Sequence, residues 1–202
     1  MQKKNFNKKN LIISGSILIF FMSLMIYALK QDPNFTPSQL VGEKAPIISA
    51  PISQGGSFNS ENSFNKGRWV VLNFWSSYCV VCRSEAPEIE NFYQTISLNS
   101  ATNPELVSIN IQDDKEAISQ WQSNYGQTFP VVQDTKGLIS IQYGVTGTPE
   151  TFFIDKNSIV RYRIAGAVNK NIILKFIDWL EKNPNSSQDD ATKALMNMRN
   201  NS

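Results

Sequence analysis

The only two cysteines of this 202-residue chain lie three positions apart, at Cys79 and Cys82. Two cysteines placed at random in such a chain would have this spacing only about one time in a hundred. The apolar run Val70–Trp75 precedes them, so Cys79 would end a strand and Cys82 would open a helix. A helix N-terminus offers free N–H groups and partial positive charge, and both stabilise a thiolate. The spacing therefore predicts a redox-active dithiol.

Other uses of the cysteine pair fit the sequence less well. A zinc site needs about four ligands, and the chain has no histidine and no third cysteine. We therefore expect no metal ion, and no motif predicts a cofactor. A purely structural disulfide that closes two intervening residues would restrict the unfolded chain very little. Without histidine, any proton transfer must use carboxylates, thiols or water.

The overall composition indicates a globular protein and argues against a nucleic-acid partner. The chain is 41% hydrophobic and 18% charged, and its formal net charge is only +2. It contains no basic patch and no glycine-rich phosphate-binding loop. Its length allows one domain of ordinary size with additional segments at the ends.

The N-terminus predicts a membrane anchor. Four lysines lie within the first nine residues, and the following 19 residues, Leu11–Leu29, carry no charge. A helix of that length spans roughly 28 Å, close to the hydrocarbon thickness of a bilayer. A cleaved signal peptide has a shorter apolar core and small residues at its cleavage site, and Tyr27–Lys30 offers only a poor site. We predict a basic cytoplasmic segment over residues 1–10 and a transmembrane helix over 11–29, with a signal peptide or a buried helix as alternatives.

The lysines also predict the orientation and the remaining segments. Positive residues favour the cytoplasmic side, so the rest of this single-pass protein would lie across the membrane; in a bacterium it would lie across the inner membrane, in the periplasm. That compartment is oxidising, which suits a cysteine pair. Residues 30–40 would form a tether and 41–183 a folded domain. Residues 184–202 are rich in Asn and Ser and are predicted to be disordered, with a frayed helix over 191–198 as the alternative.

Hydrophobic patterns predict an α/β domain with a mixed central sheet flanked by helices. Helices are expected after Cys82 and near the C-terminal end of the domain, with strands between them. The predicted strands are Val70–Trp75, Leu106–Ile111, Phe129–Val132, Thr151–Ile154 and Ile159–Ile164, and the later helices are Asp113–Tyr125, Leu138–Tyr143 and Ile172–Leu180.

Two separated motifs resemble one protein family. Asn73–Arg83, with Pro87 beyond it, resembles the active-site stretch of thioredoxin-like proteins, and Gly144–Asp155 resembles the loop that carries their cis-proline. Ile159–Gly166 and Asn110–Asp114 are most similar to the membrane-anchored reductases of cytochrome c maturation, the DsbE/CcmG group. The resemblance covers roughly residues 40–182 and implies a thioredoxin-like fold.

The resemblance implies a function in thiol–disulfide exchange. Members keep their dithiol reduced with electrons from a membrane electron donor and reduce disulfides that involve apocytochrome c or other cytochrome c maturation proteins. Cys79 would then be the nucleophile and Cys82 the resolving thiol, leaving a redox-active Cys79–Cys82 disulfide. Open alternatives are a broader-specificity periplasmic reductase or oxidase of the same fold and a module that binds apocytochrome without turnover. A peroxidase has no support beyond the dithiol.

The same resemblance implies which residues handle protons. Thioredoxins carry a buried Asp six residues before the first cysteine, and Asn73 occupies that position here. The family has acids at the places of Glu85 and Glu150, so we hypothesise that they exchange protons with Cys82 and Cys79 and tune their pKa values. For Glu85 the alternative is a solvated residue of the first helical turn, favoured by the helix dipole.

The loop that faces the dithiol is implied to bind substrate. Thr148-Pro149 would be joined by a cis peptide bond, and the backbone of Thr148 would pair with an extended substrate segment. Trp75 would form a wall of the site. Two departures from the family pattern concern the dithiol itself: Val80-Val81 lacks the proline common between such cysteines, and Tyr78 replaces the usual Trp. These residues influence redox potential, so the sequence does not predict its value.

Overall fold

The structure, a computed structural model, describes residues 8–29, 38–98 and 103–201. The chain divides into two compact units, residues 1–35 and 36–202. The described part of the first unit is the helix α1 (Lys8–Leu29). Across the three described ranges, no helix combines the length and the apolar character that crossing a membrane requires. The anchor predicted over residues 11–29 is thus unconfirmed, while residues 1–7 of the predicted cytoplasmic segment and 30–37 of the predicted tether lie outside the described residues.

The second unit alternates strands and helices along the chain. In order, its elements are β1 (Ser49–Pro51), β2 (Ser57–Asn59), α2 (Glu61–Phe64), β3 (Val70–Trp75), α3 (Val80–Ser97), β4 (Glu105–Ile111), α4 (Lys115–Tyr125), β5 (Val131–Asp134), α5 (Leu138–Tyr143), β6 (Glu150–Ile154), β7 (Val160–Ala165), α6 (Lys170–Lys182) and α7 (Gln188–Asn200).

The central sheet is mixed, as predicted, and β3 lies in its middle. The five strands are ordered β5-β4-β3-β6-β7, with β3, β4 and β5 parallel and with β6 and β7 antiparallel to their neighbours. Parallel strands end at the same edge of a sheet, so the segments that follow β3 and β4 emerge side by side. The cysteines follow β3, and the start of α4 follows β4. This edge therefore carries the chemistry.

Two hydrophobic cores cover the two faces of the sheet. Val71 and Trp75 of β3 point into one core, and Leu72 and Phe74 point into the other. All six residues of β3 are buried, which explains why its sequence reads as a continuous apolar run rather than an alternating one. Each fully buried large apolar side chain contributes about 1.5–3 kcal/mol. The strand that leads to the dithiol is therefore anchored from both sides.

The predicted strands and helices of the domain are present, with shifted ends. β5 begins at Val131 rather than Phe129, because Pro130 between them has no N–H for the ladder. α3 continues past Pro87 without interruption. α4 begins after Asp114, whose side chain accepts the Ala117 N–H at 2.7 Å as the N-cap. Asp113, predicted to open this helix, lies outside it.

The prediction of a disordered tail over residues 184–202 is wrong for α7. Ser187 and Asp190 form a capping box at its start, and Ala191 and Leu195, four residues apart, are buried. The Tyr162 and Thr192 hydroxyls lie 2.6 Å apart and join the helix to β7. The composition of the tail is poor in apolar residues, but their spacing places them on one helical face, which packs on the domain.

A core substitution tests whether α7 is part of the folded domain. We expect Leu195→Ala to lower the free energy of unfolding by about 2 kcal/mol, because it removes a side chain that is only 6% exposed. The neighbouring Met196 is 38% exposed, so Met196→Ala is the matched control and should change stability little. Urea unfolding of the oxidised protein measures both. Equal, small effects of the two substitutions would contradict the packing of α7.

Candidate active site

The two cysteines lie where β3 leads into α3, and they differ in exposure. Cys79 is the N-cap of α3, and its sulfur accepts the backbone N–H of Cys82 at 3.0 Å. The two sulfurs are joined in a disulfide. Cys79 is partly exposed, whereas Cys82 is only 2% exposed and belongs to a hydrophobic core. Only Cys79 can be reached by another protein, so it is the sulfur that can attack or be attacked first.

The turn that presents Cys79 is held by Asp113, a residue of the Asn110–Asp114 motif for which the sequence predicts no role in the site. The N–H of Cys79 donates to the carbonyl of Ser76 at 3.2 Å, which closes the turn. Within it, the backbone N–H and hydroxyl of Ser77 both donate to the Asp113 carboxylate. Parallel pairing of β3 with β4 was the available signal, because it brings the residues after both strands together.

The loop before β6 faces Cys79, and the Thr148–Pro149 peptide bond is cis, as the resemblance implied. The sulfur of Cys79 lies 3.3 Å from the carbonyl oxygen of Thr148. Pro149 is buried and Thr148 is partly exposed. The pairing of the Thr148 backbone with an extended substrate segment stays a prediction.

Glu150, directly after the cis-proline, is buried and fully engaged. Its Oε1 accepts the backbone N–H and the hydroxyl of Thr146 at 3.0 and 2.8 Å, and the N–H of Gly147 at 3.1 Å. Its Oε2 lies 3.2 Å from a guanidinium nitrogen of Arg163, and both side chains are almost completely buried. These contacts hold the loop that carries Thr148. The proposed proton transfer by Glu150 stays a prediction.

Glu85 lies one helical turn after Cys82 and is buried, so it is not the solvated residue of the alternative interpretation. Its carboxylate accepts the Val168 N–H at 3.0 Å and the Asn73 side-chain amide at 3.2 Å. Removal from water outweighs these two hydrogen bonds and raises the pKa of Glu85 from its ordinary value of 4.5 to about 7. A carboxyl group with this pKa can both accept and return a proton near neutral pH.

Trp75, at the end of β3, is buried in the hydrophobic core that also contains Cys82. Its indole N–H donates to the hydroxyl of Ser108 at 2.8 Å, and its ring stacks on Trp121 with 4.8 Å between centroids. The ring of Trp121 in turn contacts the ring of Tyr125, with 4.5 Å between centroids. These contacts fix the end of β3 against α4. The role of Trp75 as a wall of the substrate site stays a prediction.

A cleft beside Cys79 has a volume of about 440 Å³. Its walls come from the turn after β3, the segment between β4 and α4, and the loop before β6, including Ser76, Tyr78, Gln112, Asp113, Thr146 and Thr148. The Tyr78 side chain at its rim is 83% exposed. Among the described residues, no group of three or more Cys, His, Asp or Glu side chains could hold a metal ion.

Comparison with known proteins assigns the family. The model of the AhpC/TSA family matches residues 41–163. The thiol:disulfide interchange protein DsbE of Xylella fastidiosa is 30% identical over 167 residues, which cover 81% of this chain and 82% of that protein. The chain belongs to the AhpC/TSA family and to the DsbE thiol:disulfide interchange proteins. DsbE of Escherichia coli K12 is similar to the same extent, at 29% identity over 172 residues, 82% of this chain and 89% of that protein.

A solved structure agrees with this family. The putative thiol:disulfide interchange protein DsbE from Chlorobium tepidum is 28% identical, with a TM-score of 0.55, and covers 63% of this chain and 86% of its own. Together with Cys79 and Cys82 at the start of α3, these comparisons identify a thiol:disulfide oxidoreductase with a thioredoxin-like α/β fold. Its reaction exchanges disulfides with protein partners.

The environment of Glu85 generates a pH prediction for stability. Because the folded state raises the pKa of Glu85 from 4.5 to about 7, it binds a proton that the unfolded chain releases between these values. Stability from this group is therefore fully present below pH 4.5 and is lost as pH rises through 7. The whole change is about 3.5 kcal/mol at 1.4 kcal/mol per pKa unit, and about 3 kcal/mol of it falls between pH 4.5 and pH 8. Urea unfolding of the oxidised protein at pH 4.5 and pH 8 measures it.

Two variants make the pH measurement specific. Glu85→Gln cannot ionise, so it should lose about 3 kcal/mol less stability over this pH interval than the unmodified protein. Glu116→Gln removes an exposed carboxyl group of α4 and is the matched control. If Glu85→Gln follows the same pH dependence as the unmodified protein, the pKa assigned to Glu85 is wrong.

Proposed function

We propose that this protein is a reductase of cytochrome c assembly, which reduces a disulfide in apocytochrome c or in a partner of its maturation. The observation that carries the proposal is the position of the Cys79 sulfur, which contacts the Cys82 N–H and lies 3.3 Å from the Thr148 carbonyl oxygen. The similarity to DsbE proteins supports the same assignment.

The first step uses the N-terminus of α3. In the reduced protein, the Cys82 N–H and the helix dipole stabilise the thiolate of Cys79. This thiolate attacks one sulfur of the substrate disulfide, whose S–S bond breaks as the new Cys79–substrate bond forms. The second substrate sulfur leaves as a thiolate and takes up a proton. The product is a mixed disulfide.

The second step uses the buried thiol and carboxylate. Cys82 must lose its proton in a site closed to bulk water, and Glu85, one helical turn away, has a pKa of about 7 that suits it as the acceptor. The Cys82 thiolate attacks the sulfur of Cys79, and the remaining substrate sulfur leaves and is protonated. Two electrons pass to the substrate, and the protein keeps the Cys79–Cys82 disulfide.

The proposed substrate fits the loop that faces the dithiol. The haem-attachment segment of a c-type cytochrome is a C-x-x-C-H stretch, so its oxidised form contains a disulfide within a short length of chain. Such a segment can extend along the partly exposed residue Thr148 as an added strand while its sulfur meets Cys79. The cleft beside Thr148 provides space for the neighbouring side chains.

Sustained reduction requires a source of electrons. Each turnover ends with the Cys79–Cys82 disulfide, so a dithiol of a membrane electron donor must reduce it by the same exchange in reverse. In an oxidising compartment this supply is what distinguishes a reductase from an oxidase. The partly exposed Cys79 is the sulfur that the donor would attack.

The proposal includes attachment to the bacterial inner membrane, with the thioredoxin-like domain in the periplasm. Its support is the uncharged segment 11–29 that follows four lysines. Along α1, the side chains of Ile13, Phe20 and Met22 are more than half exposed. Exposed apolar side chains along a helix without acidic residues favour a lipid environment over water.

Trapping of the mixed disulfide tests the proposed substrate. Cys82→Ser removes the resolving thiol, so Cys79 should stay bonded to the substrate in cells. We expect non-reducing gels and mass spectrometry to detect adducts with apocytochrome c or its maturation proteins. The matched control is Cys79→Ser, which should form few adducts because its remaining sulfur is buried.

The same cells reveal the direction of exchange. Rapid alkylation should find both thiols of the unmodified protein mainly reduced at steady state. Absence of cytochrome c proteins among the Cys82→Ser adducts would refute the substrate proposal but leave exchange chemistry intact. A Cys79–Cys82 pair found mainly oxidised would contradict the reductase and favour an oxidase.

A charge in α1 tests membrane attachment. Ile19 lies within the uncharged segment and its side chain is 70% exposed. Ile19→Arg should lower the carbonate-resistant membrane fraction more than tenfold, because arginine at the centre of an inserted helix costs about 2.5–3.5 kcal/mol. Ile19→Leu is the matched control and should remain in the membrane pellet. An unmodified protein found in the carbonate supernatant would refute the anchor.

A further inference from the structure

The turn between β3 and α3 is fixed by a carboxylate from the neighbouring strand connection. Asp113 is 4% exposed, and its Oδ1 accepts the hydroxyl of Ser77 at 2.8 Å. Its Oδ2 accepts the backbone N–H of Ser77 at 2.7 Å and the side-chain amide of Asn110 at 2.6 Å. Hydrogen bonds to a carboxylate are shorter and stronger than those between neutral groups. Both oxygens act as acceptors, which a neutral amide in this position cannot reproduce.

The hydrogen bonds between Asp113 and Ser77 lie at the middle of the turn that carries Cys79. Ser77 is the second of the four turn residues, and the N–H of Cys79 closes the turn on Ser76. Tyr78, between Ser77 and Cys79, projects into solvent. Asp113 itself is held in place, since its N–H donates to the Asn110 side-chain oxygen at 3.2 Å and Asn110 lies on β4. The turn is therefore tied to the rigid sheet through Asp113.

The position of the turn decides two contacts of the reactive sulfur. The sulfur of Cys79 accepts the Cys82 N–H at 3.0 Å and lies 3.3 Å from the Thr148 oxygen. A displacement of about 1 Å in a reacting group costs up to a hundredfold in rate. Both contacts depend on where the chain leaves β3, and Ser77 is the turn residue that is anchored from outside the turn by two hydrogen bonds.

We propose that Asp113 is a positioning residue for Cys79, which holds the turn 76–79 so that the Cys79 sulfur stays on the Cys82 N–H and opposite Thr148. Asp113 touches neither sulfur in this role, and it acts through Ser77. The inference concerns disulfide exchange itself. It holds for any protein substrate and does not depend on a function in cytochrome c assembly.

A positioning role and a purely electrostatic role of Asp113 predict opposite changes in the pKa of the Cys79 thiol when Asp113 is neutralised. If Asp113 positions the turn, Asp113→Asn weakens the contact of Cys79 with the helix N-terminus and raises the pKa of the Cys79 thiol. If Asp113 acts only as a nearby negative charge, its removal favours the thiolate and lowers that pKa. This substitution leaves the other charged groups on the elements around the turn unchanged. They are Arg83, Glu85, Glu88 and Glu90 on α3, Glu105 on β4, Asp114 before α4, Lys115 and Glu116 at the start of α4, and Glu150 on β6.

Thiolate titration of three variants of the full chain distinguishes the two effects. For Asp113→Asn, absorbance at 240 nm should place the pKa of Cys79 about one unit higher, a tenfold lower thiolate-to-thiol ratio. At a pH below that pKa, exchange with a small disulfide should slow only about threefold, because a more basic thiolate is also more nucleophilic. Ser77→Ala keeps the charge of Asp113 and removes one hydrogen bond, so it should raise the pKa by a smaller amount.

Asp114→Asn is the matched control. It removes a negative charge from the adjacent residue, and asparagine caps a helix as well as aspartate does, so α4 should persist. This variant should leave the pKa of Cys79 and the exchange rate unchanged or shift the pKa slightly downward. A lower or unchanged pKa in Asp113→Asn would overturn the proposal, as would an unchanged pKa in Ser77→Ala. The second result remains decisive if Asp113→Asn does not fold.

Discussion

The contact on which the active site depends is the capping of α3 by the sulfur of Cys79. A helix begins with N–H groups that have no partner within the helix, and the Cys82 N–H finds one in that sulfur. The same contact completes the helix and favours the anionic state of the nucleophile. An N-cap side chain reaches the N–H of the second or third helical residue, so the C-x-x-C spacing is set at the point where α3 begins. The buried β3 and the α3 side chains in the same core fix that point.

Two buried glutamates show how the same side chain acquires different properties from its surroundings. The carboxylate of Glu150 contacts the Arg163 guanidinium and accepts three hydrogen bonds from the adjoining loop. These contacts hold the loop in place. Glu85 is offered only neutral donors, Asn73 and Val168, and burial raises its pKa to about 7. Asn73, which replaces the buried aspartate of thioredoxins, is therefore compatible with a buried carboxylate at Glu85. It supplies a hydrogen bond to Glu85 where a second carboxylate would repel it.

Local patterns predicted much of this molecule, and long-range partners limited the rest. The strand Val70–Trp75 and the dithiol of Cys79 and Cys82 can be predicted from sequence, because each depends on residues that are close together in the chain. The first is a strand buried on both faces, and the second caps a helix. The pairing of Glu150 with Arg163 is set by the register of β6 with β7, which composition does not reveal. The prediction of a disordered tail is wrong because two apolar residues, Ala191 and Leu195, are enough to hold a helix against the surface of the folded domain.

In the active site, the contacts of Asp113 likewise depend on a partner that is distant in the sequence, Ser77. In the sequence it is one of two adjacent aspartates at the start of a helix, and the prediction placed it within that helix. In the structure Asp114 takes the N-cap, so Asp113 turns toward the next strand connection and meets Ser77. Which of the two caps the helix decides which is free to hold the turn. The geometry at Cys79 therefore depends on where α4 begins after β4. This dependence is possible because β3 and β4 are parallel, so the segments that follow them lie side by side.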